Sequence, residues 1–510
     1  MPLLRMPNSA FHPGHLVMVD IPGRTLDSDT AAFLRRNHIR AVCLFRRNLG
    51  TETEVRRLVA DLHDVLGPHA LIGIDQEGGS VVRATFLPQA PAAMALGAID
   101  DEALAEAVGA AVARGLRSLG INWNFAPVLD VNNNPANPVI GERSFGADPA
   151  RVSRLAAAWM RGSLREGVAC CVKHFPGHGD THVDSHHALP MVDKSMAELE
   201  ALELLPFRML LSGPDPAPAV MTAHIVYPRI DANHPATLSR PLLTTVLREA
   251  MKYDGVVITD ALFMKAVHER WGHARAAVMA LQAGADMPLA QGSEHEQSLA
   301  VQAIEAALRE GDLLPEQVLR AQARLQALSQ RFPVAPRPYP SDERAADDLL
   351  MRQAWARSLR ALGGATPPAL DQPLEVVTQA SVASDGVSEA GVPADRVAAL
   401  FARHADVHLR TVPDLTDPAA LESPPGDTDR LRVLVSNQRR RYPAAAAGWP
   451  VDLHLVLWNP FQAEDIAAPA LVSWGHAEGA LDAVSRWLAG ELEAGAGLPV
   501  PLGIHLRPAA

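Results

Sequence analysis

Short apolar runs alternate with amphipathic stretches through the first two thirds of this 510-residue chain. The runs have the length and composition of β-strands, and the stretches between them carry the spacing of helices that bury one face. A strand followed by a helix, repeated eight times, favours a parallel α/β fold, with a closed (β/α)8 TIM-like barrel as its leading form. The predicted strands are residues 15–20, 41–45, 70–75, 121–127, 168–174, 219–224, 255–260 and 285–289.

The helices predicted between these strands include residues 53–66, 102–119, 149–165, 196–211 and 240–251. An open, doubly wound sheet is the alternative architecture for the same alternation. In that fold a G-x-G-x-x-G turn commonly follows the first strand, and the sequence has no such turn there. The barrel is therefore the favoured prediction.

A proline-rich segment, FPVAPRPYP at 332–340, contains four prolines in nine residues and predicts a stiff, extended linker. We predict a barrel domain over 1–332, a linker over 333–345 and a smaller α/β sandwich domain over 346–510. Within the last third, strands are predicted at 374–378, 406–412, 432–436, 452–458 and 470–473, and helices at 341–362, 393–404 and 477–488.

Composition excludes several classes of partner. The net charge is −12 and no basic tract stands out, so we expect neither nucleic acid nor an anionic membrane as a partner. The three cysteines, Cys43, Cys170 and Cys171, do not form a disulfide framework and fit a reducing compartment. The first 23 residues lack the apolar core of a secretion signal, and no apolar run approaches the ~20 residues that span a bilayer. The expected location is cytoplasmic.

Polar side chains gather at the carboxyl ends of five predicted strands, where a barrel places its functional groups. They are Asp75, Asp130, Lys173, His174, His224 and Asp260. A random scatter of polar residues would not select that end repeatedly. The sequence therefore predicts a site at the carboxyl rim of the barrel.

The densest group of ionisable residues is the stretch VKHFPGHGDTHVDSHHALP at 172–190, directly after the fifth predicted strand. Its glycines and prolines predict a loop. A solvated polar loop is one interpretation, and a zinc site formed by His178, His182 and His186 at helical spacing is another, although the glycines argue against a helix. The third is a proton-transfer pair, Asp184 and His186, because a carboxylate beside a histidine fixes its tautomer and raises its pKa.

Asp260 ends a fully apolar run and is either a helix N-cap or a functional carboxylate. Retaining glycosidases need a carboxylate that attacks the anomeric carbon and a second group that protonates the leaving oxygen. Asp260 can supply the first group, and the loop after the fifth strand can supply the second. A histidine would be an unusual acid/base in place of the ordinary carboxyl.

The chain closely resembles the β-N-acetylglucosaminidases of glycoside hydrolase family 3 (NagZ type). The resemblance covers about residues 10 to 330 and, less strongly, three motifs of the last third. The motifs that carry it are IDQEGG at 74–79, NFAPVLD at 124–130, GERSFG at 141–146, KHFPGHG at 173–179, DSH at 184–186, MTAH at 221–224, PATLS at 235–239, LWNP at 457–460, SWGH at 473–476 and GLPVP at 497–501.

The resemblance implies a role for each matching residue. Asp260 is the expected nucleophile, His186 the acid/base and Asp184 the residue that orients it. The expected clamp on the non-reducing sugar is formed by Asp75, Arg83, Arg143, Lys173 and His174. The two arginines could instead pair only with nearby acidic groups. No cofactor or metal is implied, and the chain departs from many relatives by having Ala261, instead of an acid, after the nucleophile.

The expected function is a retaining exo-β-N-acetylglucosaminidase that acts on a small carbohydrate or a muropeptide, plausibly in peptidoglycan recycling, as a monomer or homodimer. A phosphorylase with the same residues, in which phosphate replaces water, is one alternative. A β-glucosidase and a non-catalytic sugar-binding protein are the others.

Overall fold

The computed structural model describes residues 11–184, 188–213, 215–417, 419 and 429–503. The chain divides into two compact units, each made of several segments. The first comprises the described residues up to Gln76, together with Gly109–Val131 and Ala156–Tyr339. The second comprises Glu77–Val108, Asn132–Leu155 and the described residues from Pro340 onward.

The first unit contains a closed barrel of eight strands, each hydrogen-bonded to the next in the chain and the last to the first. All neighbouring pairs are parallel. The predicted TIM-like barrel is therefore confirmed, and the open sheet is wrong. The strands are β1 (Met18–Val19), β2 (Ala41–Leu44), β3 (Leu71–Ile74), β4 (Trp123–Asn124), β5 (Ala169–Phe175), β6 (Ala219–Thr222), β7 (Val256–Ala261) and β8 (Met287–Leu289).

The barrel strands form because their side chains are buried on both faces. All seven residues of β5 and the first four of β7 are buried, which explains the continuous apolar runs at 169–172 and 256–258. Close packing also fixes a glycine: a Cβ atom on Gly73 would lie 2.5 Å from Cζ of Phe125. The Phe125 ring in turn meets Trp123 edge-on, with the centroids 5.3 Å apart.

Three of the five helices predicted before the linker are confirmed within one or two residues, and two differ; after the linker, the helix predicted at 393–404 is shorter and covers only Ala394–Ala399. The stretch 196–211 forms two helices because Leu202 leaves the helical conformation at φ −137° and ψ −75°. The stretch at 240–251 is a π-helix over Pro241–Ala250. The α-helices up to the linker are Ser28–Arg36, Glu52–Leu66, Ala93–Ile99, Glu102–Ser118, Pro149–Arg165, Met196–Ala201, Leu204–Leu211, Lys265–Trp271, His273–Ala283, Glu294–Glu310 and Pro315–Arg331.

The second unit is built around a six-stranded sheet. Its strands are β9 (Arg360–Leu362), β10 (Leu374–Gln379), β11 (Val407–Val412), β12 (Leu431–Ser436), β13 (Leu453–Val456) and β14 (Ala470–Val472). Their order is β9-β14-β13-β12-β10-β11, with β9 antiparallel and the other pairs parallel. The helices are Ser341–Ser358, Ala394–Ala399, Gln462–Asp465 and Glu478–Leu488. The predicted smaller α/β domain is confirmed.

The predicted helix 341–362 is wrong at its end. The helix stops at Ser358, and residues 360–362 form the edge strand β9 instead. Leu359 turns extended, at φ −54° and ψ 138°, and is fully buried. Arg360 is then held by backbone carbonyls, with Nε donating to Gly497 O at 2.5 Å and Nη1 to Arg357 O at 2.9 Å. Tertiary contacts override the helical pattern here.

Between Arg331 and Ser341 the chain forms no helix or strand, and the proline-rich linker stays a prediction as a domain boundary. All three cysteines lie in the described part of the chain, and they are buried thiols outside any disulfide. Within the part of the chain that the structure describes, no helix is both long and apolar enough to span a bilayer.

Candidate active site

The carboxyl rim of the barrel gathers four of the predicted site residues. Asp75 directly follows β3, Lys173 and His174 lie in the last three residues of β5, and Asp260 is the penultimate residue of β7. Parallel strands of a barrel end at one rim, so these side chains belong to the same face of the first unit.

Lys173 and Asp75 form the first pair of the site. Lys173 Nζ lies 2.7 Å from Asp75 Oδ1, although the Lys173 side chain is only 2% exposed. The Asp75 side chain keeps 19% exposure, which leaves part of its carboxylate accessible to a ligand. A buried ammonium needs such a partner because desolvation of an isolated charge is expensive. The pair fixes a carboxylate acceptor and a cationic donor side by side.

Asp130 organises the turn after β5. Its fully buried carboxylate accepts hydrogen bonds from His174 N at 3.1 Å and from His178 N at 2.6 Å, both on Oδ1. The second oxygen lies 2.7 Å from His174 Nδ1. Burial by itself raises the pKa of Asp130, but the facing His174 ring and these hydrogen bonds lower it below its usual range. The sequence marked Asp130 as a strand-end group without assigning it a role, and the structure makes it the residue that orients His174.

His178 is not available as a cation. Burial, and to a smaller extent the neighbouring His174, lowers its pKa to about 4, although Asp130 and Asp260 oppose that shift. Thr181 Oγ1 lies 2.9 Å from His178 Nδ1, and the ring meets His174 edge-on at 5.8 Å. His178 therefore acts as a packed, neutral part of the turn. His182, four residues on, is exposed, so the two are not joined in a metal site.

Among the described residues, no group of three or more His, Cys, Asp and Glu side chains is arranged to hold a metal ion. The third histidine of the zinc interpretation, His186, lies outside the described residues. The structure thus offers that interpretation no support.

Asp260 is held by the backbone that follows it. Its Oδ1 accepts a hydrogen bond from Ala261 N at 2.7 Å, and the Asp260 residue is half-buried. The carbonyl of Ala261 lies 2.9 Å from Nε2 of the buried His224. A carbonyl can only accept, so His224 Nε2 carries a proton. On the other side of that ring, Nδ1 contacts Thr237 Oγ1 at 2.7 Å, which fixes the imidazole from both ends.

The first part of the loop after β5 is anchored at Gly177 and at Asp180. Tyr227 Oη donates to Gly177 O at 2.7 Å, and Lys194 bridges Asp180, at 2.8 Å, and the buried Glu203. Gly177 has φ 138°, and a Cβ atom there would lie 2.7 Å from Glu203 Cβ, so only glycine fits.

Asp184 is half-buried on this loop, and its carbonyl accepts a hydrogen bond from Ala188 N at 3.1 Å. The predicted acid/base, His186, lies outside the described residues. The Asp184–His186 pair therefore stays a prediction.

Arg83 and Arg143 belong to the second unit. Arg143 forms a two-point ion pair with Glu77, with Nε and Nη2 at 2.9 and 2.8 Å from its oxygens. Arg83 Nη1 lies 3.2 Å from Glu389 Oε1. Both arginines do pair with acidic groups, as the alternative interpretation expected, and pairing of this kind also orients a guanidinium for binding.

Comparison with known proteins assigns the family. Residues 12–328 match the family described as "Glycosyl hydrolase family 3 N terminal domain". A Beta-hexosaminidase of Chromobacterium violaceum is 40% identical over 282 residues, which cover 54% of this chain and 77% of that protein.

Two solved structures extend the likeness. A glycoside hydrolase family 3 beta-N-acetylglucosaminidase from Paenibacillus sp. str. FPU-7 superposes with a TM-score of 0.86 at 34% identity, covering 97% of this chain and 99% of that one. Native NagZ from Neisseria gonorrhoeae gives a TM-score of 0.56 at 31% identity, covering 66% of this chain and 97% of its own. This chain therefore belongs to glycosyl hydrolase family 3, and it is a glycosidase.

Proposed function

We propose that this glycosidase is a retaining exo-β-N-acetylglucosaminidase that removes a non-reducing terminal β-N-acetylglucosamine. The observation that carries the proposal is the likeness to the Paenibacillus beta-N-acetylglucosaminidase, because it extends over nearly the whole of both chains. The pair formed by the buried Lys173 and the partly exposed Asp75 supports it, as does the oriented His174, since these residues supply the mixed donors and acceptors that sugar hydroxyls require.

The proposed mechanism is a double displacement. Asp260 attacks the anomeric carbon and forms a glycosyl ester while His186, oriented by Asp184, protonates the leaving oxygen. His186 then takes a proton from water, which attacks the same carbon and releases the sugar with its configuration retained. Asp75, Lys173 and His174, with Arg83 and Arg143, bind the sugar in this proposal.

The proposed natural substrates are peptidoglycan fragments, and the proposed location is the cytoplasm. Both rest on the resemblance of the sequence motifs to NagZ-type enzymes. Product analysis on a muropeptide and on chitobiose, with and without phosphate, tests the substrate class. Appearance of a sugar phosphate, formed only with phosphate, would replace the hydrolase by the phosphorylase.

The role of Asp260 is tested by Asp260→Ala on an aryl β-N-acetylglucosaminide. We expect kcat to fall by at least about 10⁴-fold, because no group remains to form the covalent intermediate. Asp61→Asn, an exposed carboxylate on a helix, serves as the matched control and should keep normal turnover. Normal turnover by Asp260→Ala would refute the mechanism.

The role of His186 is tested by His186→Ala across a series of leaving groups. Activated leaving groups need little protonation, so glycosylation should slow least for them and most for poor leaving groups. His187→Ala is the neighbouring control and should lower activity evenly, if at all. An even loss across the series for His186→Ala would count against the acid role.

A further inference from the structure

The segments that carry Arg83 and Arg143 are packed against one loop of the C-terminal domain, all within the second unit. That loop, residues 384–389, follows β10 and is here called the 384–389 loop. Glu389 N donates to Ser80 O at 2.8 Å, and Ser388 Oγ lies 3.4 Å from Ser80 Oγ. The apolar side chains between the segments form one buried cluster of Val81, Val139, Ile140 and Val387.

The 384–389 loop is itself well fixed. Asp385 Oδ1 accepts hydrogen bonds from Val387 N at 2.9 Å and from Ser388 N at 2.7 Å. Ser384 Oγ donates to Ser388 O at 2.6 Å. Arg439, which follows β12, pairs with Asp385 at 2.9 Å. Because these hydrogen bonds and this ion pair fix the loop, it can hold the residues that it contacts in a defined position.

Glu389 projects from this loop onto Arg83. The Nη1–Oε1 distance is 3.2 Å, the Arg83 side chain is 8% exposed and the Glu389 side chain 24% exposed. A long side chain such as arginine loses its rotamer freedom only when partners hold the guanidinium. Glu389 supplies one such partner from the C-terminal domain.

A second connection supports the other arginine segment. Glu142, the neighbour of Arg143, is buried, and its Oε1 accepts from Ser80 Oγ at 2.7 Å and from Trp458 Nε1 at 2.8 Å. Trp458 lies just after β13 and is also buried. Hydrogen bonds therefore connect both arginine segments to the C-terminal domain.

We propose that Glu389 is a positioning residue for Arg83, and that the C-terminal domain thereby sets the sugar-binding geometry of the enzyme. This inference rests on the proposed function, since it takes Arg83 to contact the substrate. Glu389 lies outside residues 12–328, which match the family, so the residue that positions Arg83 belongs to the C-terminal domain. It gives that domain a role in substrate binding without a catalytic residue of its own.

The test is a double-mutant cycle between Arg83 and Glu389 in the full-length chain. If Glu389 acts through Arg83, Glu389→Ala should lower kcat/KM roughly ten-fold, mainly by raising KM. The melting temperature should also fall, because the largely buried Arg83 guanidinium loses a charged partner. In an Arg83→Ala background the same change should have no further effect. Glu389→Gln keeps an acceptor oxygen and should lose only about three-fold. Arg83→Met, which keeps a long apolar stem but has no charge to pair with Glu389, replaces Arg83→Ala if the latter fails to fold.

Glu478→Ala is the matched control, because Glu478 pairs with Arg396 in the same unit at 2.6 Å but touches neither arginine segment. It should leave kcat and KM unchanged. A Glu389→Ala enzyme with wild-type kinetics, or a full ten-fold loss added on top of Arg83→Ala, would overturn the inference.

The cycle is measured on a panel of aryl β-N-acetylglucosaminide and aryl β-glucoside. If the wild type cleaves only the glucoside, the proposed function fails, and the cycle read on the glucoside still decides the role of Glu389.

Discussion

Asp130 offers a sharp test of how the site is built. Its carboxylate is fully buried and serves three hydrogen-bond donors: His174 N, His178 N and His174 Nδ1. Asp130→Ala leaves both backbone N–H groups without an acceptor, and each such buried group costs about 1–3 kcal/mol. We therefore expect Asp130→Ala to lower the free energy of unfolding by about 4 kcal/mol.

Asp130→Asn separates the backbone contacts from the charge. The amide oxygen can keep both N–H contacts, so the loss of stability should stay near 1–2 kcal/mol. The amide nitrogen, however, now faces His174 Nδ1 as a donor. A neutral His174 must then carry its proton on Nε2. This nitrogen, which Asp130 does not contact, thereby changes from a hydrogen-bond acceptor to a donor. We expect kcat/KM to fall roughly ten-fold or more although the fold is kept.

The assay is equilibrium urea unfolding of both variants, combined with kcat/KM on the aryl glycoside. We expect Asp130→Ala to have a much lower free energy of unfolding than Asp130→Asn, and both variants to have a reduced kcat/KM. Equal stability of the two variants would refute the view that Asp130 holds the turn through its backbone contacts. Full activity of Asp130→Asn would refute the orienting role toward His174.

Three further predictions concern Lys173, two buried histidines and Ala261. Lys173→Met leaves the Asp75 carboxylate without its 2.7 Å partner and should cost about 3 kcal/mol in urea unfolding, whereas Lys173→Arg, which keeps the charge, should cost less. His178 and His454 are buried, with pKa values lowered to about 4 and about 3, mainly by desolvation. As the pH falls below ~6.5, the unfolded chain binds these two protons and the folded chain does not. The contribution of the two histidines to the free energy of unfolding should therefore be constant above that pH and should fall as the pH drops toward 4. Thermal unfolding from pH 7.5 to 4.5 measures this, and His454→Gln should flatten the slope. Ala261→Asp should keep kcat within about three-fold, measured on the aryl glycoside, because position 261 uses only backbone atoms to hold Asp260 and His224.

The fold was largely predictable because its signal is local. The barrel strands are mostly apolar and mostly buried, with their polar residues near the carboxyl ends, and the helices between them keep one-sided patterns. The errors occur where distant contacts decide. Residues 360–362 continue a helical pattern, yet they pair with β14 because Leu359 and Arg360 are held by the second unit. Leu202 likewise interrupts a helix that its sequence would have allowed.

The candidate site was predictable only in part, for a similar reason. Strand ends place Asp75, Lys173 and Asp260 on one rim, which a sequence can reveal through the order of its strands. The partners that orient the site are different. Glu389 lies 306 residues from Arg83, and no local pattern marks it as its partner. Asp130 stood among the strand-end groups, but its three contacts depend on how the turn after β5 folds back.

The departure at position 261 illustrates how structure resolves a sequence difference. The family resemblance implies an acid after the proposed nucleophile in many relatives, and this chain carries alanine there. This position uses its N–H, which binds Asp260, and its carbonyl, which faces His224 and also accepts from Met264 N, and any residue except proline supplies both groups. Residue 261 therefore holds Asp260, the proposed nucleophile, through its backbone, and its side chain can vary without moving Asp260. The function of this position depends on the backbone conformation at the end of β7. That conformation is set by the strand pairing of Ala261 with Leu289 and by the fixed His224 ring.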